Sequence, residues 1–122
     1  NPKFHAPIVN ETAPLGREAI LTCLVDDLGI YKVGKVLLLL LELNIHAVAL
    51  QVAWLRVDTQ TILTIANHVI TKNHRIGVSY ADQRTWKVHI KDVRETDRGW
   101  YMCQINTDPM KSQQGYLDVV GK

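Results

Sequence analysis

The sequence predicts an all-β fold, an antiparallel sandwich of two packed sheets, on three observations. In Asp97-Arg98-Gly99-Trp100-Tyr101-Met102-Cys103 a Tyr stands two residues before a Cys and follows Asp-x-Gly. The Gly permits a tight turn, the Tyr hydroxyl can bond back to the backbone of that corner, and the Cys then points inward toward a partner across two sheets. Cys23 is the only candidate partner, and Trp54 lies between the two cysteines in sequence, as the ring that packs on such a bridge. Finally, short stretches alternate with period two between turn residues, and no helix-period segment occurs outside one odd run.

Cys, Trp, then Tyr-x-Cys in that order is the signature of an immunoglobulin domain, so a Cys23–Cys103 disulfide is expected. Closing so long a loop stabilises by roughly 4 to 5 kcal/mol in the chain-entropy model, less any strain. Such a bond persists only in oxidising compartments, which points to an extracellular domain. Asn10-Glu11-Thr12 is a glycosylation sequon and agrees with secretion. At 122 residues the chain is one domain, 1–122, large enough for a two-sheet core. Its net charge of +2 is spread along the sequence, so nothing suggests nucleic acid or a membrane surface as partner. With no initiator Met and no signal peptide, the expectation is an excised piece of a longer secreted chain.

The elements follow in order. Residues 2–14 are extended and broken by prolines, which suits an edge strand that switches sheets. Pro14-Leu15-Gly16 is a turn. From Glu18 to Val25, Ala19, Leu21, Cys23 and Val25 share the core face, with Glu18, Ile20, Thr22 and Leu24 on the other. With Trp54 inward, Ala53, Leu55 and Val57 point out of the same strand. A hairpin at 58–60 leads to the strand 62–65, expected with Leu63 and Ile65 inward and Ile62 and Thr64 outward. Asn67, Asn73 and His74 mark polar turns, and Arg75-Ile76-Gly77-Val78 is a short strand. Arg75 is expected to pair with Asp97 below the core, as in variable-type domains. Trp86, Val88 and Ile90 alternate, closed off by Val93. The last hairpin runs from Trp100 to Asn106 and returns as 113–120, with Leu117 and Val119 inward and Gln114, Tyr116 and Asp118 outward. The ribbon between Trp54 and Arg75 supplies the extra edge strands of a variable-type sandwich.

One segment does not fit. Between Cys23 and Trp54 lie 30 residues, where such a domain has about a dozen. The surplus, 34–52, contains five consecutive leucines, Leu37 to Leu41. A membrane span over 36–55 is long enough but would bury Glu42, Asn44, His46 and Gln51, and charge at the bilayer centre costs about 3 kcal/mol. Other readings stay open: a strand or short helix that packs elsewhere, a loop beside the sheet with its aggregation hazard, or intron read through. Gly34-Lys35 is what a splice donor spells in one frame, and a final Gln codon matches an acceptor. Gly121-Lys122 repeats the donor-like pair.

With the surplus set aside, Tyr31-Lys32-Val33 joins Ala53-Trp54-Leu55-Arg56-Val57-Asp58-Thr59-Gln60-Thr61-Ile62-Leu63-Thr64-Ile65. That string, with 67–71 and the run from Gly99 to Gln113, resembles the first immunoglobulin domain of the insect Dpr-interacting proteins, neuronal surface molecules akin to IgLON proteins and lachesin. The resemblance covers the chain apart from the surplus and departs at Gly121-Lys122, where the family continues through a Pro-containing linker. It implies three immunoglobulin domains on a membrane anchor, with the first binding Dpr-type partners or other family members, homodimers included, sheet against sheet in synaptic partner choice. Carried over by parity, the face is Ala53, Leu55, Val57, Ile62, Thr64, Met102, Gln104, Asn106, Gln114 and Tyr116. The residues agree in kind: Leu55, Val57, Ile62, Met102 and Tyr116 make an apolar centre rimmed by Gln104, Asn106 and Gln114.

Other chemistry is not signalled. His5, His46, His68, His74 and His89 lack metal-ligand spacing, and both cysteines are committed. Ser79 and Ser112 have no nucleophile motif, and Asp92, Glu95 and Asp97 suit a charged corner turn. There is no Gly-rich phosphate loop. The expectation is a binding module with no cofactor, metal or small-molecule substrate. The competing readings are an epithelial-junction adhesion protein of lachesin type, and a non-functional product in which the surplus displaces the start of the Trp54 strand.

Overall fold

The computed structural model of the protein describes residues 2–26, 51–107 and 109–121. Among the described residues ten strands form two sheets: β1 (Lys3–Phe4), β2 (Glu11–Pro14), β3 (Ala19–Asp26), β4 (Val52–Arg56), β5 (Thr61–Ile65), β6 (His68–Val69), β7 (Ile76–Ala81), β8 (Thr85–Ile90), β9 (Gly99–Ile105) and β10 (Lys111–Val120). A 3-10 turn, Glu95–Asp97, is the only helical element among the described residues. One sheet has the order β1-β3-β8-β7 and the other β2-β10-β9-β4-β5-β6. All pairings are antiparallel except β2 with β10.

The proline-broken N-terminus switches sheets as its composition predicts. Lys3–Phe4 pairs with β3, and after Pro7 the chain crosses to pair Glu11–Pro14 with β10. Gln113 ties the crossing down by donating to the Ala6 carbonyl at 3.0 Å. Gly115 of β10 makes room for it, since a Cβ there would lie 2.3 Å from Ile8 Cγ2.

The core is the set of inward residues of both sheets. Along β3, Ala19, Leu21, Cys23 and Val25 are buried and their neighbours only partly so, the period-two pattern of a strand covered on one side. Trp86, Val88 and Ile90 of β8 and Tyr101, Cys103 and Ile105 of β9 meet them. The Cys23–Cys103 disulfide joins the sheets, and Trp54 is the ladder partner of Cys103.

Below the core, Tyr101 closes the corner by donating its hydroxyl to the Asp97 carbonyl at 2.6 Å. Burial pushes the Tyr101 phenol up to about 12, against the pull of the nearby Arg56 charge. Asp97 accepts Arg75 at 2.6 and 2.9 Å and the Arg94 N–H at 2.8 Å. Burial alone would raise the Asp97 carboxyl; those two donors and the charges of Arg75 and Arg56 outweigh it and hold the pKa below the ordinary value.

Three expectations need correction, the first being that the last strand begins at Lys111 rather than 113. The strand opening at Ile76 runs to Ala81, three residues beyond Val78. In β5 the expected parity holds for Ile62 and Leu63 but reverses after them: Thr64 is fully buried and Ile65 shares the outer face with Ala53. The cause is a bulge in the β4–β5 ladder. Trp54 faces Thr64 and Leu55 faces Ile62, so Leu63 is the extra residue and two consecutive side chains turn inward.

The surplus segment lies outside the described residues except for its last two. Val52 is buried and begins β4, paired with Ile105, and the Gln51 N–H donates to Asn106 Oδ1 at 2.6 Å. The Trp54 strand is therefore paired with β9 from Val52 and with β5 from Ala53. No helix among the described residues is long and apolar enough to cross a membrane.

Candidate interaction surface

The outer face of the six-stranded sheet is built of rows that run across the strands. Ile62, Leu55, Met102 and Gln114 are successive ladder partners on β5, β4, β9 and β10. At about 4.8 Å per strand this row is roughly 14 Å long. Ile65, Ala53, Gln104 and Ser112 form the next row by the same pairings. On the other side Trp100 faces Tyr116, their rings edge to face with centroids 5.1 Å apart. None of these side chains carries a charge at neutral pH.

The rows enclose two shallow hollows. One is lined by Ala53, Leu55, Ile62, Ile65, Gln104 and Met110, with Gln51 and Asn106 at its rim. The other lies between Leu55, Val57, Gln60 and Met102, with Arg56 below. Ile62 is 42% exposed and Trp100 46%, while Leu55, Val57, Met102 and Tyr116 are half-buried by their neighbours. A large aliphatic side chain left open on a sheet face, beside amide-bearing rims, has the anatomy of an interface.

Of the sequence-predicted face, nine residues lie on this surface or its rim: Ala53, Leu55, Val57, Ile62, Met102, Gln104, Asn106, Gln114 and Tyr116. Thr64 does not, because the bulge turns it into the core. Asn106 has a structural duty as well, accepting from Gln51 beyond the end of the ladder. Sequence reasoning missed Ile65, Met110 and Trp100. Trp100 was within reach, having the parity of Met102 and Gln104; Ile65 depends on the bulge and Met110 on the path of the hairpin.

The opposite face differs in chemistry. On the four-stranded sheet Ser79 Oγ lies 2.7 Å from His89 Nε2, and His89 Nδ1 lies 3.6 Å from Glu18, with Lys87 between the same strands. At the β1 edge, His5 and Arg84 hold Asp26 at 2.8 and 3.1 Å. The His5 hydrogen bond first, and then the nearby positive charges, lower the Asp26 pKa despite some desolvation. That face is a hydrogen-bonded, charged surface of the kind water solvates. Among the described residues no cluster of His, Cys, Asp or Glu could hold a metal ion.

Fold and face together define a variable-type immunoglobulin domain whose six-stranded sheet bears uncharged, partly apolar rows on its outer face. No protein-family model matches the chain. A crystal structure of the Dpr1 first immunoglobulin domain bound to that of DIP-eta contains a chain 60% identical to this one, with 98% of this chain and 96% of that one covered at a TM-score of 0.82. The structure of the first two immunoglobulin domains of DIP-gamma is 44% identical over 99% of this chain and 49% of that one, at a TM-score of 0.81. This chain belongs to the Dpr/DIP family of immunoglobulin-domain proteins. Among curated proteins, the zwei Ig domain protein zig-8 of Caenorhabditis elegans is 30% identical over 70 residues, 57% of this chain and 26% of that protein. The chain thus spans about a quarter of that relative's length.

Proposed function

We propose that the domain is an extracellular recognition module that docks the first immunoglobulin domain of a Dpr-type or related protein, sheet against sheet, through the outer face of the six-stranded sheet. The observation that carries this reading is the uncharged row Ile62–Leu55–Met102, three large apolar side chains aligned across three strands by their ladder pairing. Water gains nothing from such a row, and a matching sheet face would remove it from solvent. The occupant follows from the family: Dpr1 and DIP-eta pair through first immunoglobulin domains. Gln104 and Gln114 would supply rim hydrogen bonds and so help choose among partners.

On this reading the protein works at the cell surface, held by an anchor outside this stretch, and serves neuronal partner choice without catalysis. Surface plasmon resonance against a panel of first immunoglobulin domains, this one included, tests it. Leu55→Asp or Ile62→Asp is expected to abolish binding while the domain stays folded and disulfide-bonded. Undiminished binding by both variants would remove the face. Staining of synaptic neuropil is expected in tissue; confinement to lateral epithelial membrane would replace the neuronal role with a junctional one.

A further inference from the structure

We propose that Asn10 carries an N-linked oligosaccharide, and that the folded domain holds the modified carboxamide by its oxygen alone. Asn10 is exposed, as are Val9 and Thr12, so the sequon Asn10-Glu11-Thr12 stands open to solvent. Asn10 Oδ1 accepts the Tyr116 N–H at 2.9 Å. The β2–β10 ladder begins one residue later, with Glu11 opposite Leu117. The Asn10 side chain thus stands in for a backbone carbonyl on the rung before the ladder starts, which fixes the plane of its amide. Among the described residues Nδ2 has no hydrogen-bond partner, and Nδ2 is the atom that glycosylation uses.

The two demands on Asn10 are compatible atom by atom. Nδ2 attacks C1 of the first sugar of a lipid-linked oligosaccharyl pyrophosphate; the N–C1 bond forms as the C1–O bond to the pyrophosphate breaks. The lipid pyrophosphate leaves with the electron pair, and Nδ2 loses one of its two protons. Oδ1 remains a carbonyl oxygen and keeps the Tyr116 N–H. The Cys23–Cys103 disulfide supplies an independent reason to place the chain in the oxidising pathway where this transfer occurs.

The position has consequences for the surface. β2 is the outermost strand of its sheet, and a sugar at its start hinders another chain from adding along that edge. Three strand spacings, roughly 14 Å, separate β2 from β4. The attachment point therefore lies on the Tyr116 side of the sheet, away from the strands that carry Leu55 and Ile62.

The test uses the protein secreted from eukaryotic cells, as wild type and as Thr12→Ala. Peptide mass spectrometry is expected to find the oligosaccharide on residue 10 of the wild type and not of Thr12→Ala. Enzymatic deglycosylation in heavy-oxygen water is expected to leave a labelled Asp at that position. In hydrogen exchange, the Tyr116 amide is expected to be equally slow in both forms. Secreted, folded wild type with residue 10 unmodified would overturn the proposal. So would a Tyr116 amide that exchanges faster in the glycosylated form. Neither readout involves a binding partner, so failure here leaves the docking reading untouched.

Discussion

Leu55 and Ile62 face each other across β4 and β5, although a ladder continued evenly from Trp54 and Thr64 would set Leu55 against Leu63. The bulge takes up Leu63, sends Leu63 and Thr64 into the core together, and returns Ile62 to the surface. Without it, Leu63 would stand opposite Leu55 on the outer face and Ile62 would be hidden. The apolar row is therefore a product of one irregularity in the backbone.

Thr64 bears the cost of that arrangement. It is fully buried, and among the described residues its Oγ1 has no hydrogen-bond partner. A buried hydroxyl without a partner costs roughly 1 to 3 kcal/mol. Thr64→Val keeps the shape and removes the oxygen, so stability is expected to rise by about 1 kcal/mol in urea denaturation. Partner binding is expected to stay unchanged, since the side chain never reaches the face.

The Arg75–Asp97 pair ties β7 to the corner, with side chains 16% and 5% exposed. Removing the cation leaves a buried carboxylate, and Arg75→Ala is expected to cost about 3 kcal/mol. Asp97 has a depressed pKa when folded. Its contribution is thus present above the unfolded carboxylate value of about 3.9 and lost as pH falls through the lower folded value. Denaturation midpoints measured from pH 6 down to about 2 are expected to fall on that acid limb, and Asp97→Asn to flatten the fall.

Gly115 and Ile8 are expected to be coupled. A methyl group on Gly115 would overlap Ile8, so Gly115→Ala is expected to destabilise by about 1 to 3 kcal/mol. Ile8→Ala vacates the same space, and in the double variant the two losses are expected not to add. A double-mutant cycle by chemical denaturation measures this.

Loss of the disulfide should weaken the domain without changing its topology. Cys23 and Cys103 are separated by 80 residues, and freeing a loop of that size costs about 4 to 5 kcal/mol in the chain-entropy model. The paired Ala variant is expected to show that drop in unfolding free energy.

Much of this architecture was legible because strands covered on one side alternate. Cys23, Trp54, Tyr101 and Cys103 name the sandwich, and Ala19 through Val25 announce their own inner face. The same parity placed Leu55, Met102 and Gln114 on the outer sheet. It misplaced Thr64 and missed Ile65 because a bulge adds one residue to one strand, and its site depends on how both strands pack rather than on either strand's sequence. Trp100 has the right parity but was absorbed into the corner motif. The leucine-rich surplus offers no parity tied to a partner, and its composition suits a strand, a helix or a loop alike.

Hydrogen exchange of the domain alone and in complex with a first immunoglobulin domain that binds it tests the docking claim most directly. The account predicts new protection in β4, β5 and β9 around Leu55, Ile62 and Met102, with β7 and β8 unchanged around Ser79 and Lys87. Protection confined to the Ser79–Lys87 side, with the Leu55 row still exchanging as in the free domain, would contradict it.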